Sequence, residues 1–199
     1  MNSRLDLYSD TRLLAPARTV REELGGGSFV LRSPDPLQPH ARCIGQSLPE
    51  GAPVVILSDN SMDHLMLILA ALHVGRPTCT VSSAYSRLTK DYDKVVGILQ
   101  ALRPALVYAD NAQVYGPALR AISESGIQAV QLVGSGHESV AGARAFSELA
   151  ADETPAVARA YEAITPDTHA KYLLTSGSTG TPKVVINTHR MLCANQQQI

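Results

Sequence analysis

Thr175 to Lys183 reads TSGSTGTPK, a run of hydroxyls and glycines that no apolar core would favour. Gly177 and Gly180 can take positive φ and let the backbone come close to a ligand. Successive N–H groups in such a loop form a concave anion nest. Thr175, Ser176, Ser178 and Thr179 add hydroxyl donors, and Lys183 adds a point charge. A charge-assisted hydrogen bond of this kind contributes ~1.5–3 kcal/mol. Pro182 stiffens the exit and has no N–H of its own. The chemistry on offer is the gripping of a phosphate chain. The alternative, a mobile Ser/Gly linker, fits poorly with Thr, Pro and Lys at fixed offsets between two β-like runs.

The commonest phosphate cradle is excluded. A Walker A loop needs Gly before its lysine and Ser or Thr after it; here Pro182 and Val184 occupy those places. The run is neither G-x-G-x-x-G nor the G-x-S-x-G nucleophile elbow. Gly25 to Ser28 (GGGS) reads as a flexible turn, because no buried strand precedes it and no lysine follows.

The elements that must hold this loop form an alternation. Val54–Leu57 reads as a buried strand, and Asn60 or Ser61 as the cap of an apolar, buried helix over Met62–His73 that stops at Gly75. Pro77–Val81 is a second strand. Tyr92, Val95, Val96, Leu99 and Leu102 make one helical face, closed by Pro104. Ala105–Tyr108 is a third strand. Pro117 suits the first position of a helix with Leu119 and Ile122 inward, and Ile127–Val133 is a fourth strand. A short helix is expected near Phe146–Ala150, then a loop holding Pro155 and Pro166. Ala170–Leu174 is a fifth strand, Lys183–Ile186 another β segment, and a helix starts near Thr188. This predicts an α/β fold: a doubly wound, largely parallel sheet with flanking helices. Residues 1–52 read as an irregular segment, with a possible strand at Ser28–Leu31, and 53–199 as the domain proper.

Composition narrows the function. The 199 residues carry a net charge of −1, with no Trp and two Phe, which gives no basic field or stacking platform for nucleic acid. Cys43, Cys79 and Cys193 lie far apart, so neither a zinc site nor a disulfide framework is expected; reduced thiols fit a cytoplasmic protein. No apolar run is long enough to span a bilayer. The six histidines show no metal-ligand spacing. Ser58, Asp59, Asp63 and His64 lie so close in sequence that they read as a helix cap, not a hydrolase constellation. His189 reads as a polar residue at a helix start, with substrate contact as the alternative. Asp91 and Asp93 read as a solvated face, Gly134–His137 as a turn after a strand, and Cys193 as buried packing. The sequence leaves the oligomeric state open.

T-S-G-S-T-G-x-P-K resembles the phosphate-binding signature of the adenylate-forming enzymes: acyl-CoA synthetases, nonribosomal peptide adenylation domains and luciferases. The resemblance continues upstream through VVILSDNSMDHLMLILAALHVGRPTCTVSSAYS. It implies that Thr175, Ser176, Gly177, Ser178, Thr179, Gly180 and Lys183 contact the phosphates of ATP while a carboxylate attacks the α-phosphorus. Lys183 would help neutralise the departing pyrophosphate. The ligands implied for the complete enzyme are a carboxylic acid, ATP with Mg2+, and CoA. LRSPDPL, LSDNSMDH and VINTHRMLCANQ resemble, more narrowly, feruloyl-CoA synthetases, which implies ferulic or another hydroxycinnamic acid as substrate.

Three departures from that pattern stand out. Val184 replaces the usual Gly or Ala and reads as a continuation of the strand. The link between Cys43 and Pro53 is several dozen residues shorter than the family's, so a packing element is missing and an apolar sheet face is expected to be exposed. The motifs implied to bind magnesium and ribose, and the late catalytic lysine, are not found. The chain therefore reads as the front portion of a larger adenylation domain, holding no catalytic or metal residue and inactive alone, with a non-catalytic nucleotide-binding remnant as the alternative.

Overall fold

The computed structural model describes residues 51–89, 91–149, 155–175 and 182–196. The expected irregular segment 1–52, GGGS and the Ser28–Leu31 strand thus lie almost wholly outside the described residues. So do Ser176, Gly177, Ser178, Thr179 and Gly180.

Strand β1 (Val54–Ile56) sits at the centre of a seven-stranded sheet. It pairs in parallel with β2 (Thr78–Thr80) on one side and β3 (Leu106–Asn111) on the other. Strand β4 (Val130–Ser135) and the two-residue β5 (Arg144–Ala145) extend the sheet beyond β3. Beyond β2 come β6 (His169–Thr175), parallel to it, and β7 (Lys183–Thr188), antiparallel to β6. The order β5-β4-β3-β1-β2-β6-β7 has its topological switch between β1 and β3, where consecutive connections leave in opposite directions.

A strand in the middle of a parallel sheet is covered on both faces and reads as unbroken apolar sequence. Val54, Val55, Ile56 and Leu57 are all fully buried. Val54 and Ile56 face one core cluster with α1 (Met62–His73), Leu106, Tyr108, Phe146 and Val157. Val55 and Leu57 face the other, with α3 (Asp93–Leu102) and α4 (Ala112–Glu124). Each such side chain contributes about 1.5–3 kcal/mol on burial. A one-turn helix α2 (Ala84–Arg87) lies between β2 and α3.

The helix ends follow their residues. Ser61 caps α1, its Oγ accepting from the His64 N–H at 3.1 Å. At the other end Gly75 takes φ +68°. Its N–H bonds to the Leu72 carbonyl and that of Arg76 to the Ala71 carbonyl, the paired bonds of a Schellman stop. A Cβ on Gly75 would also lie 3.2 Å from Ile164.

Five expectations need correction. Pro117 lies inside α4, because Asn111 starts that helix earlier: its Oδ1 accepts from Gln113 N (2.7 Å) and Val114 N (3.3 Å). The fourth strand begins at Val130, not Ile127, and runs through Gly134 to Ser135, so only Gly136 (φ +73°) and the 3-10 turn His137–Ser139 follow it. Gly134 is needed inside the strand, since a Cβ there would lie 2.6 Å from the Asp110 carbonyl oxygen. The supposed loop around Pro155 contains helix α5 (Pro155–Glu162). Pro155 opens it, where a missing N–H costs nothing, and the helix buries Val157 and stacks Tyr161 on His73 at 5.0 Å. Cys193, on α6 (His189–Gln196), is half-buried, not buried, because much of that helix faces solvent. The expected helix near Phe146 is a 3-10 turn over Phe146–Leu149. Apolar side chains are exposed at the β6–β7 end of the sheet, on Leu173, Val184, Val185 and Ile186; the short Cys43–Pro53 link, from which an exposed face was expected, lies almost wholly outside the described residues.

Gly134→Ala is expected to unfold at lower denaturant concentration than the parent chain, since the methyl must displace the β3 backbone. Gly142→Ala has nothing within 4 Å of its methyl and takes a positive φ that Gly134 does not, so it shows backbone strain without collision, where Gly134→Ala shows collision without that strain. Urea titrations of the three proteins make the comparison.

Candidate phosphate-loop site

Strands β1, β2, β3, β4 and β6 run in one direction, so their carboxyl ends share one edge of the sheet. Thr175 ends β6 at that edge. Its register partner across the antiparallel ladder is Lys183, the first residue of β7, and the Thr175 hydroxyl points at the Lys183 carbonyl at 3.5 Å. Both residues are exposed. Lys183 forms no ion pair among the described residues. The glycine-hydroxyl run is therefore anchored at both ends by one hairpin, with a free cation at its exit. The described residues on either side of 176–181 are strands, so β7, and not the helix N-terminus of a Walker A cradle, follows the run. Pro182 and Val184 line a 440 Å³ cavity with Ile98, Ala101 and Leu174. Val184 pairs with Leu174 in the ladder and continues the strand, as its β-branched side chain predicts.

The other carboxyl ends bring further polar groups to the same edge. Asp59, after β1, accepts from the Ser83 hydroxyl at 2.5 Å and pairs with Arg87 at 3.4 Å. Asp63 accepts from the Tyr108 hydroxyl at 3.3 Å. His64 lies against the Asp59 carbonyl (3.2 Å) and the Thr80 hydroxyl (3.5 Å). Ser58, Asp63 and His64 thus form no relay: each of the charged and ring groups is committed elsewhere, and the cap reading holds. Asp91 and Asp93 are exposed, with Asp91 Oδ1 capping Asp93 N at 2.8 Å. Burial raises the pKa of the Tyr108 hydroxyl and pushes the Cys79 thiol up to about 11, so both stay protonated at neutral pH.

His189 starts α6 as expected, but it is 2% exposed. Burial lowers its pKa, which keeps the ring neutral. It follows the far end of β7, roughly 20 Å along a six-residue strand from Lys183, so it does not share the loop's edge. Its backbone N–H bonds to the Thr168 carbonyl at 3.0 Å.

Asp110 was not singled out from sequence. It is the penultimate residue of β3, beside the switch point. Its Oδ1 is buried with no hydrogen-bond partner. Burial raises its pKa, and the negative charges of Asp59 and Asp63 add to that, against Arg87. No local pattern signals it, because its environment is built by three separate strand ends. Among the described residues no cluster of three His, Cys, Asp or Glu can hold a metal ion, and no helix is long and apolar enough to cross a membrane.

Residues 41–199 match the profile of the family described as AMP-binding enzyme. The chain belongs to the AMP-binding enzyme family. Solved structures share the fold of this AMP-binding chain. One described as a long-chain-fatty-acid CoA ligase from Rhodopseudomonas palustris superposes with a TM-score of 0.66 at 19% identity, over 82% of this chain and 38% of that one. A long-chain-fatty-acid-CoA ligase from Archaeoglobus fulgidus gives 0.62 at 20% identity, over 83% and 31%. ATP-bound MatB from Rhodopseudomonas palustris gives 0.57 at 21% identity, over 82% and 30%. The chain spans less than two-fifths of the length of each. No curated protein matches its sequence. The doubly wound, largely parallel α/β sheet expected from sequence is the fold these structures share.

Because the folded-state pKa of Asp110 is raised, the folded protein holds that proton more tightly than the unfolded chain. The stability it contributes is present below its ordinary value of 3.8 and is lost as pH rises through the raised one. Asp110→Asn is therefore expected to raise Tm at neutral pH and to flatten the acid-side part of the Tm–pH curve. Calorimetry of both proteins between about pH 4 and pH 8 checks it.

Proposed function

We propose that this chain supplies the phosphate-gripping part of an enzyme that uses ATP to convert a carboxylic acid to an acyl-adenylate and then to a CoA thioester. One observation carries the reading. TSGSTGTPK, in a chain of the AMP-binding enzyme family, is held between Thr175 and Lys183 at the carboxyl edge of the sheet. The names of two superposing structures, both CoA ligases, and the ATP bound in a third support it.

In this reaction a carboxylate oxygen bonds to the α-phosphorus. The bond to the bridging oxygen breaks, and pyrophosphate leaves with the electron pair. What must be stabilised is negative charge on the departing phosphates. The Lys183 ammonium is exposed and unpaired among the described residues, so no carboxylate partner has to be displaced before it meets them. The hydroxyls of Thr175, Ser176, Ser178 and Thr179 and the N–H groups about Gly177 and Gly180 would supply the remaining donors. Mg2+ would screen the phosphates, and CoA would take the acyl group in the second step. The described residues offer no ready ligand set for the metal.

Residues 53–199 are proposed as part of the adenylation domain, with 1–52 as a segment distinct from it. The acid is proposed to be ferulic or another hydroxycinnamic acid, on the segments LRSPDPL, LSDNSMDH and VINTHRMLCANQ. A second reading is a nucleotide-binding module without catalysis, since the superposing structures, all under 25% identical, share only its fold.

The purified chain is expected to bind ATP in calorimetric titration, with Lys183→Ala weakening it about 10- to 100-fold, the equivalent of ~1.5–3 kcal/mol. Unchanged affinity in Lys183→Ala removes the role given to Lys183. The chain alone is expected to show no acid-dependent pyrophosphate exchange. A longer polypeptide from the same reading frame is expected to form a CoA thioester with ferulate faster than with acetate, benzoate or a fatty acid. ATP binding without exchange in that longer protein selects the second reading.

A further inference from the structure

Seven residues separate Thr175 from Lys183, and a connection of that length does not fix a hairpin's register as a two-residue turn does. Val184, Val185 and Ile186 are 40%, 44% and 45% exposed, so among the described residues burial does not prefer one face of β7 over the other. A slip of one residue would turn the Lys183 side chain to the opposite face of the sheet. The other end of the hairpin is tied down. Residues Thr165 to Thr168 form a turn with Pro166 in its second place. The Thr168 N–H bonds to the Thr165 carbonyl at 3.1 Å, and the Thr165 N–H to the Thr168 hydroxyl at 2.9 Å. Carbonyls of this turn take up the first N–H groups of α6, which have no partner within their own helix: His189 donates to Thr168 at 3.0 Å and Arg190 to Pro166 at 2.8 Å. The Arg190 guanidinium also grips the Asp167 carboxylate, Nε to Oδ1 at 3.2 Å and Nη2 to Oδ1 and Oδ2 at 3.1 and 3.3 Å. A cation in the first turn of a helix opposes the helix dipole, so Arg190 is held there by its carboxylate and not by the helix. Just inside this end Ala170, fully buried, is the extra residue of a bulge between His169 and Lys171.

We infer that Asp167 and Arg190 are positioning residues for the run between Thr175 and Lys183: from the far end of the hairpin they fix the β6–β7 register that sets Lys183 opposite Thr175. The inference rests on the ATP-binding role proposed for that run. A slip of one residue moves β7 by about 3.4 Å. It would break the three guanidinium contacts and both backbone bonds, and draw the His189 ring, 2% exposed, out of its buried site. An exposed ion pair adds little to the stability of a whole fold. Here all of these contacts are made in the native register and lost together in a slipped one, so their sum falls on the choice between registers.

Disulfide trapping in the 199-residue chain reads the register, with bridged peptides identified by mass spectrometry. Leu173→Cys/Val185→Cys, opposed in the ladder, is expected to bridge. Leu173→Cys/Val184→Cys and Leu173→Cys/Ile186→Cys, one residue out in either direction, are expected not to. Asp167→Arg opposes two guanidinium groups and Arg190→Asp two carboxylates; each, folded by circular dichroism, is expected to shift bridging to an out-of-register pair. Asp167→Asn, a smaller change, is expected to give the same shift to a lesser degree. The double variant Asp167→Arg/Arg190→Asp is expected to restore the parent pattern. ATP affinity, measured by calorimetry, is expected to fall in proportion to the in-register fraction. It is expected to recover when the Leu173→Cys/Val185→Cys bridge is closed in either single variant. Bridging unchanged in the single variants, or not restored in the double variant, overturns the control of register by this pair. Full ATP affinity in a variant that has slipped overturns the positioning role. A parent chain that binds no ATP overturns instead the reading on which that role rests, and the bridging pattern tells the two failures apart.

Discussion

Strand β1 has to be apolar on both sides at once, and the rest of the fold answers that requirement. Val54 and Ile56 call for a cover of helices on one face, Val55 and Leu57 on the other. Parallel neighbours on both sides then force crossover connections, which supply those helices. The switch between β1 and β3 follows from β1 being in the middle and first among the described strands. Once the parallel strands are fixed, their carboxyl ends share one edge, and polar groups that are remote in sequence meet there: Asp59, Asp63, Asp110, Thr175 and Lys183.

The elements most legible in sequence are those whose local chemistry and tertiary role agree. Ser61 and Gly75 are good start and stop signals, and α1 has the bounds they predict. The loop's two anchors were legible for the same reason, since Thr175 and Lys183 close β-like runs whatever lies around them. Proline was read badly in both directions. Pro117 looked like a helix start, yet Asn111 was a stronger cap; Pro155 looked like a loop residue, yet Val157 had a core to enter. In each case the deciding partner was remote or competed from a few residues away. The start of β4 was misjudged because Ile127 and Ala129 are apolar enough for a strand, while the pairing with β3 begins only at Val130.

Asp110 shows the limit from the other side. Its identity is plain in the sequence and its environment is not, because burial and the neighbouring negative charges come from three strand ends brought together by the sheet. His189 is the complementary case: adjacent to the loop's strand in sequence, it is separated from the loop by the full length of β7. Distance along a strand is real distance, whereas distance along the chain between parallel strands is not.

The pairing of Thr175 with Lys183 has a thermodynamic consequence. Opposed residues in an antiparallel ladder sit about 5 Å apart, so the ends of the seven residues between them are joined when the hairpin forms. The entropy of closing that loop is then met when the β6–β7 hairpin folds. Under the proposed function, affinity for phosphate is accordingly coupled to the integrity of that ladder: a substitution that frays the hairpin would weaken binding without altering a phosphate contact.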